Sequence, residues 1–138
     1  MKKHIEVVAA IIIKGEKIFA ACRSYGNKET IDKFEFPGGK VEANETHQMA
    51  LMREIKEEFS ATIKVQSHFM DVDYEYNDFT MTLHAYFASL ISDDLVPQEH
   101  SSIFWGSALE MSKLAFGPAD TIIVQSLQDQ NLADLGGK

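Results

Sequence analysis

Gly39-Lys40-Val41-Glu42-Ala43-Asn44-Glu45, running on to Arg53-Glu54-Ile55-Lys56-Glu57-Glu58, sets a glycine loop before a helix that carries clustered acids and one arginine. Like charges crowded onto one short segment repel, and a fold tolerates them most readily when a divalent cation sits among them. At helical spacing, Glu54, Glu57 and Glu58 fall within an arc of about 100°. Leu51, Met52, Ile55 and Phe59 form a separate apolar stripe, expected to face a core. Arg53 lies on the far flank of the acidic arc from that stripe. Glu45 and Thr46 sit where the helix should start, and an acid there suits the positive end of the dipole. Taken alone, Glu-x-x-Glu-Glu is also the pattern of a solvated helix on an acidic protein, although such a face usually interleaves more lysines than Lys56. The segment reads as a cradle for magnesium, and such cradles serve phosphate chemistry.

The register of the whole segment separates the two readings. It resembles the Nudix box: Gly, five residues, Glu, seven residues, then Arg-Glu-aliphatic-x-Glu-Glu-x-Gly-aliphatic. Gly39, Glu45, Arg53, Glu54, Ile55, Glu57 and Glu58 all fall in step. Two positions depart from the pattern, Ser60 in place of glycine and Ala61 in place of a larger aliphatic. Glycine after a helix commonly takes a left-handed cap, and serine there costs about 1 kcal/mol. Neither departure removes a carboxylate, so a small loss of stability with retained chemistry is expected. A non-catalytic member kept as a nucleotide sensor is the alternative.

The resemblance covers nearly the whole chain and implies an α/β fold, an α/β/α sandwich around a mixed sheet. It also implies a metal-dependent nucleotide hydrolase. Phe36-Pro37-Gly38-Gly39-Lys40-Val41-Glu42 looks like the MutT-type subgroup, which acts on nucleoside triphosphates. The opening Ile5-Glu6-Val7-Val8-Ala9-Ala10-Ile11-Ile12 and the late Gly117-Pro118-Ala119-Asp120 look like its bacterial CTP pyrophosphohydrolase branch.

Composition is consistent with that reading. The 138 residues suit a single domain, 1–138, with a proper core. Thirteen basic against 21 acidic residues leave a net charge of −8, which opposes binding to a nucleic acid polymer. A nucleotide is not opposed, because bound cations reverse the local field. Cys22 alone makes no internal disulfide, which points to a reducing cytoplasm, and it reads as a small buried strand residue. Met1-Lys2-Lys3 before an apolar run is superficially like a signal peptide. Glu6 interrupts that run, no small-residue cleavage site follows, and no stretch is long enough to span a membrane. A homodimer is left open.

The coarse pattern is mixed. Ile5 to Ile13 and Lys17 to Arg23 are strands joined by a turn at Lys14-Gly15-Glu16-Lys17, and residues 24–33 are a polar loop. The acidic helix runs from about Thr46 to Phe59. Thr62 to Tyr76 and Phe79 to Leu90 are long strands joined by Asn77-Asp78. Ser101 to Trp105 is a short strand, Ser107 to Met111 a helical turn, and Pro118 to about Asp129 a last helix with proline at its first position. Residues 132–138 read as a frayed tail.

Chemistry assigns the rest. Glu54, Glu57 and Glu58 are expected to hold Mg²⁺ or Mn²⁺, since hard oxygens suit those ions and no His/Cys cluster competes. Glu54 is also placed to orient or deprotonate the attacking water, and Arg53 to pair with a glutamate. The resemblance adds the Gly38 carbonyl as a metal ligand and Arg23 and Lys40 as substrate contacts. It adds Glu99 as a late catalytic and metal-binding acid, 21 residues before Asp120, the base-reading position. Purine-sanitising relatives carry asparagine there, with both a donor and an acceptor. An ionised Asp120 only accepts, favouring the amino group of cytosine or adenine over the carbonyl of guanine. The leading substrates are therefore CTP, dCTP or modified cytidine nucleotides, cleaved to the monophosphate and pyrophosphate, with 8-oxo-dGTP as the alternative. The five histidines show no metal spacing, and His100 reads as a solvated loop residue, with contact to substrate beside Glu99 as the alternative. Phe69, Tyr74, Tyr76 and Phe79 read as core and hairpin packing, with one free to stack on a base.

Overall fold

The computed structural model describes residues 2–24, 31–92, 94–100 and 102–130. The expected tail at 132–138, Ser101 and part of the 24–33 loop lie outside the described residues. Strands β1 (Lys3–Lys14), β2 (Lys17–Cys22), β3 (Phe34–Glu35), β4 (Gly38–Lys40), β5 (Ile63–Glu75), β6 (Phe79–Leu90) and β7 (Ser102–Gly106) combine with helices α1 (His47–Phe59), α2 (Ala108–Met111) and α3 (Pro118–Leu127). The sheet runs β3-β2-β1-β6-β5, with β4 added to β1 and β7 to β2. β1 and β6 are parallel and the other pairs antiparallel, so the mixed sheet is as expected.

The sandwich follows from β1. Its residues Val8 to Ile13 are all buried, because successive side chains enter opposite layers. Ala9, Ile11 and Ile13 pack in a core with Met111, Ala119, Ile123 and Leu127 of the α2–α3 side. Val8, Ala10 and Ile12 pack in a second core with Ala50, Leu51, Ile55 and Phe59 of α1. Ile11, Ile12, Ile13, Ile18 and Phe19 are at most 2% exposed. Each such side chain contributes roughly 1.5–3 kcal/mol on burial.

Several expectations are corrected. Met52 is half exposed rather than part of the buried stripe, and Ala50 takes its place. The expected stretch at Gly38–Lys40 is not loop but a short strand along Val7–Ala9. At the helix start Thr46 is the N-cap, accepting from Met49 N at 3.1 Å, whereas Glu45 stands before it and turns to Arg53 instead. Ser60 does adopt the left-handed cap, at φ 53° and ψ 37°, with its amide bonded to Lys56 O. Ala61 is fully buried beneath α1.

Candidate functional site

α1 is lashed to the loop before it by one arginine. Arg53 donates from Nε to Glu45 Oε2 at 2.6 Å and from NH2 to Glu45 Oε1 at 2.9 Å, a two-pronged pair. NH2 also reaches Lys40 O at 3.0 Å, and NH1 reaches Glu57 Oε1 at 3.1 Å. Glu45 in turn accepts from the Glu42 amide. The Arg53 hydrogen bonds hold the Glu45 carboxyl down at about 2, and the same pairing raises Arg53. Arg53 is therefore a brace between helix and loop.

Gly38 and Gly39 explain themselves by close approach. A Cβ on Gly39 would lie 2.2 Å from Glu54 Oε2, and one on Gly38 would lie 1.9 Å from Val8 O. Only glycines let the Glu54 carboxylate pack against β4 and let β4 close on β1.

Behind this brace the acids gather. Glu54, Glu57 and Glu58 line a hollow of about 230 Å³ with Gln98 and Glu99. The chain after β6 is tied to the end of α1 by Val96 N to Phe59 O, 2.8 Å, and Gln98 N to Glu58 O, 3.0 Å, which carries Glu99 to the cluster. Burial pushes the Glu58 carboxyl up to about 8, helped by the charges of Glu54 and Glu35. Burial also raises Glu54, against the pull of Arg53. Glu58 Oε2 is buried without a hydrogen-bond partner. Among the described residues, no three His, Cys, Asp or Glu side chains form a ready-made metal cage. Hydrated Mg²⁺ needs none, since it keeps several waters and binds through one or two carboxylates plus phosphates. An orphaned buried oxygen and a surplus of carboxylates with raised pKa fit a divalent cation.

The hollow adjoins a cavity of about 610 Å³ that Glu54, Glu57 and Glu58 also border. Its far part is apolar, walled by Ile5, Met81, Leu83 and the stacked pair Tyr76 and Phe79, whose ring centroids are 4.8 Å apart. Asp120 also lines this cavity. It is partly buried, with Oδ1 3.3 Å from Phe36 N. Burial pushes its carboxyl up to about 7, with Glu35 adding to the rise. Arg23 and Lys40 border the cavity as well, so the structure brings together the residues named from the sequence.

Three features escaped the sequence. Glu35 borders the cavity, 3.4 Å from Arg23, and no motif singled it out. His100 is not solvated; it is buried against Glu35 at 2.8 Å. The apolar slot draws on β1, β6 and the β5–β6 turn, and the alternation of β6 is the one signal that could have exposed it.

A sequence model described as the NUDIX domain matches residues 3–126. The chain is 33% identical over 124 residues to the CTP pyrophosphohydrolase of Escherichia coli K12, covering 90% of this chain and 91% of that protein. It is 35% identical over 117 residues to the putative 8-oxo-dGTP diphosphatase 2 of Mycobacterium tuberculosis CDC 1551, covering 83% and 81%. The solution structure of the E. coli ORF135 protein superposes with a TM-score of 0.79 at 32% identity, over 92% of this chain and 90% of that one.

Proposed function

The chain belongs to the Nudix hydrolases, and we propose that it cleaves nucleoside triphosphates to the monophosphate and pyrophosphate, with cytidine nucleotides preferred and Mg²⁺ or Mn²⁺ as the ion. Nudix hydrolases act on nucleotides with a divalent metal. The observation that carries the finer reading is the continuity of the two hollows. The acid hollow shares Glu54, Glu57 and Glu58 with a cavity that also presents an apolar wall and the carboxyl of Asp120. Those environments suit a triphosphate and a base.

In this reading Glu54, Glu57, Glu58, Glu99 and the Gly38 carbonyl would hold the ion. Held by these residues, a divalent ion would supply charge to the phosphate oxygens and lower the pKa of a water. Glu54, packed against Gly39, would also orient or deprotonate that water, its carboxyl raised by burial. Arg53 keeps helix and loop in register during turnover. Lys40 and Arg23 meet the phosphates, and Tyr76 with Phe79 flank the base.

Asp120 reads the base. Ionised, it accepts from the N4 amino group of cytosine. Protonated, it both donates and accepts, as asparagine does. Its position near 7 favours a second reading, 8-oxo-dGTP, in the fraction that keeps the proton. The name of the mycobacterial relative points the same way. A nucleotide panel with Mg²⁺, resolved by chromatography of products, tests both. Turnover of dGTP or 8-oxo-dGTP well above CTP and dCTP would count against the cytidine preference. Release of phosphate instead of pyrophosphate would reject the proposed cleavage, and heavy-oxygen water then identifies the attacked phosphorus.

A further inference from the structure

Among the described residues, His100 is the one polar side chain that is buried outright. Its ring stacks on Phe59 of α1, with centroids 5.0 Å apart and planes at 23°. Nε2 lies 2.8 Å from Glu35 Oε2, and because a carboxylate only accepts, that nitrogen carries the proton and donates. The other Glu35 oxygen, Oε1, is 3.4 Å from Arg23 NH1. The backbone of Arg23 is itself fixed, its amide bonded to Lys33 O and its carbonyl to Asp32 N. A line of side chains thus runs from beneath α1 to the wall of the cavity.

Where that line ends matters. Arg23 lines the same cavity as Glu58 of the acid hollow and Asp120, beside Glu35. In the triphosphate reading above, a nucleotide in that cavity would bring a phosphate within reach of Arg23. A long arginine side chain loses rotamer freedom each time it binds, and a guanidinium fixed beforehand loses less.

Resting on the triphosphate reading above, we propose that His100 and Glu35 are positioning residues for substrate binding: His100, wedged under Phe59, fixes the Glu35 carboxylate, and Glu35 holds the Arg23 guanidinium ready for a substrate phosphate. Neither residue touches the reacting atoms. Loss of His100 should weaken binding and leave the chemical step alone.

The test is steady-state kinetics with CTP and Mg²⁺, paired with calorimetric binding of the non-hydrolysed α,β-methylene analogue of CTP. H100L keeps the apolar stack and removes the donor. It should raise KM and the analogue's Kd about tenfold, with kcat within about twofold. H100Q, which restores an N–H donor, should recover most of the loss. E35Q, on a partly exposed strand, should resemble H100L and serves even if H100L folds poorly. R23A should cost more than either, and H100L added to R23A should cost nothing further, since its effect passes through Arg23. Multiplying losses in that double variant, or a fall in kcat with KM unchanged, would overturn the proposal. If the wild type neither binds nor cleaves any nucleotide in the panel, the functional reading falls first and this proposal goes with it.

Discussion

On the α1 side of the sheet the chain carries two sets of acids, and their surroundings are opposite. At one end, Glu6 and Asp71 flank His84, whose ring nitrogens lie 2.6 and 2.7 Å from their oxygens. An imidazole with an acceptor at each nitrogen must carry both protons, so each acid faces a cation. His4 adds a contact to Glu6 and His68 one to Asp71, and both carboxyls are lowered. At the other end one cation, Arg53, is shared among Glu45, Glu54 and Glu57, none of the described ion pairs reaches Glu58, and Glu54 and Glu58 are raised. Acids balanced within the chain are finished structure. Crowded acids that share one arginine, with a buried oxygen that accepts no hydrogen bond, are a place suited to charge from outside.

The sharpest way to break this contrast is paired substitution. E57Q should lower turnover by about a thousandfold or more while leaving the fold intact, because the ion loses a ligand. E6Q should leave kcat/KM within about twofold and lower the melting temperature. Equal effects of the two on turnover, measured with CTP and Mg²⁺, would erase the distinction.

Asp120 sharpens it next, as an acid that is raised but positioned for a base rather than an ion. D120N should move the ratio of 8-oxo-dGTP to CTP turnover upward by about tenfold, having both a donor and an acceptor at all pH. In the wild type the same ratio should fall as pH rises through about 7, where Asp120 loses its proton. A flat ratio between pH 6 and 8 would remove Asp120 from base selection.

The two acid sets should also respond to pH in opposite senses. Without metal, Glu58 binds its proton more tightly folded than unfolded, so its contribution is present at low pH and is lost as pH climbs from about 4.5 to about 8. Glu6 and Asp71, lowered in the fold, contribute above their unfolded values and lose that contribution on acidification. Melting temperatures of the metal-free protein should fall by about 5 °C between pH 6 and 8, and Mg²⁺ should reverse part of the fall. E58Q should flatten that limb, and E6Q should not.

The smallest effect concerns the end of α1. Ser60 in the left-handed region should yield to glycine, with S60G gaining about 0.5–1 kcal/mol in denaturant melts and unchanged turnover.

Much of this was legible beforehand where the signal is local. The helix period separated Glu54, Glu57 and Glu58 from the core stripe, and the spacing from Gly39 to Glu58 marked the loop and helix as one device. Met52 failed because an arc on a helical wheel does not say how far the neighbouring layer extends. His100 failed for a different reason. A histidine in a loop looks solvated until Phe59 and Glu35, 41 residues before it and 65 residues before it in the chain, close over it. Glu35 was invisible as a site residue because no motif marks it, and its partners come from separate strands and loops.

By itself the sequence decided where the long strands and the main helices fall and which acids share a face, since each depends on neighbours within a turn or a pleat, whereas the short strand at Gly38–Lys40 and the close approach of its glycines needed β1 and α1 beside them. Tertiary structure alone decided which acids keep a protein cation and which do not. Charge balance is summed over groups that meet only after folding, and burial, which raises Glu58 and Asp120, exists only once the layers close.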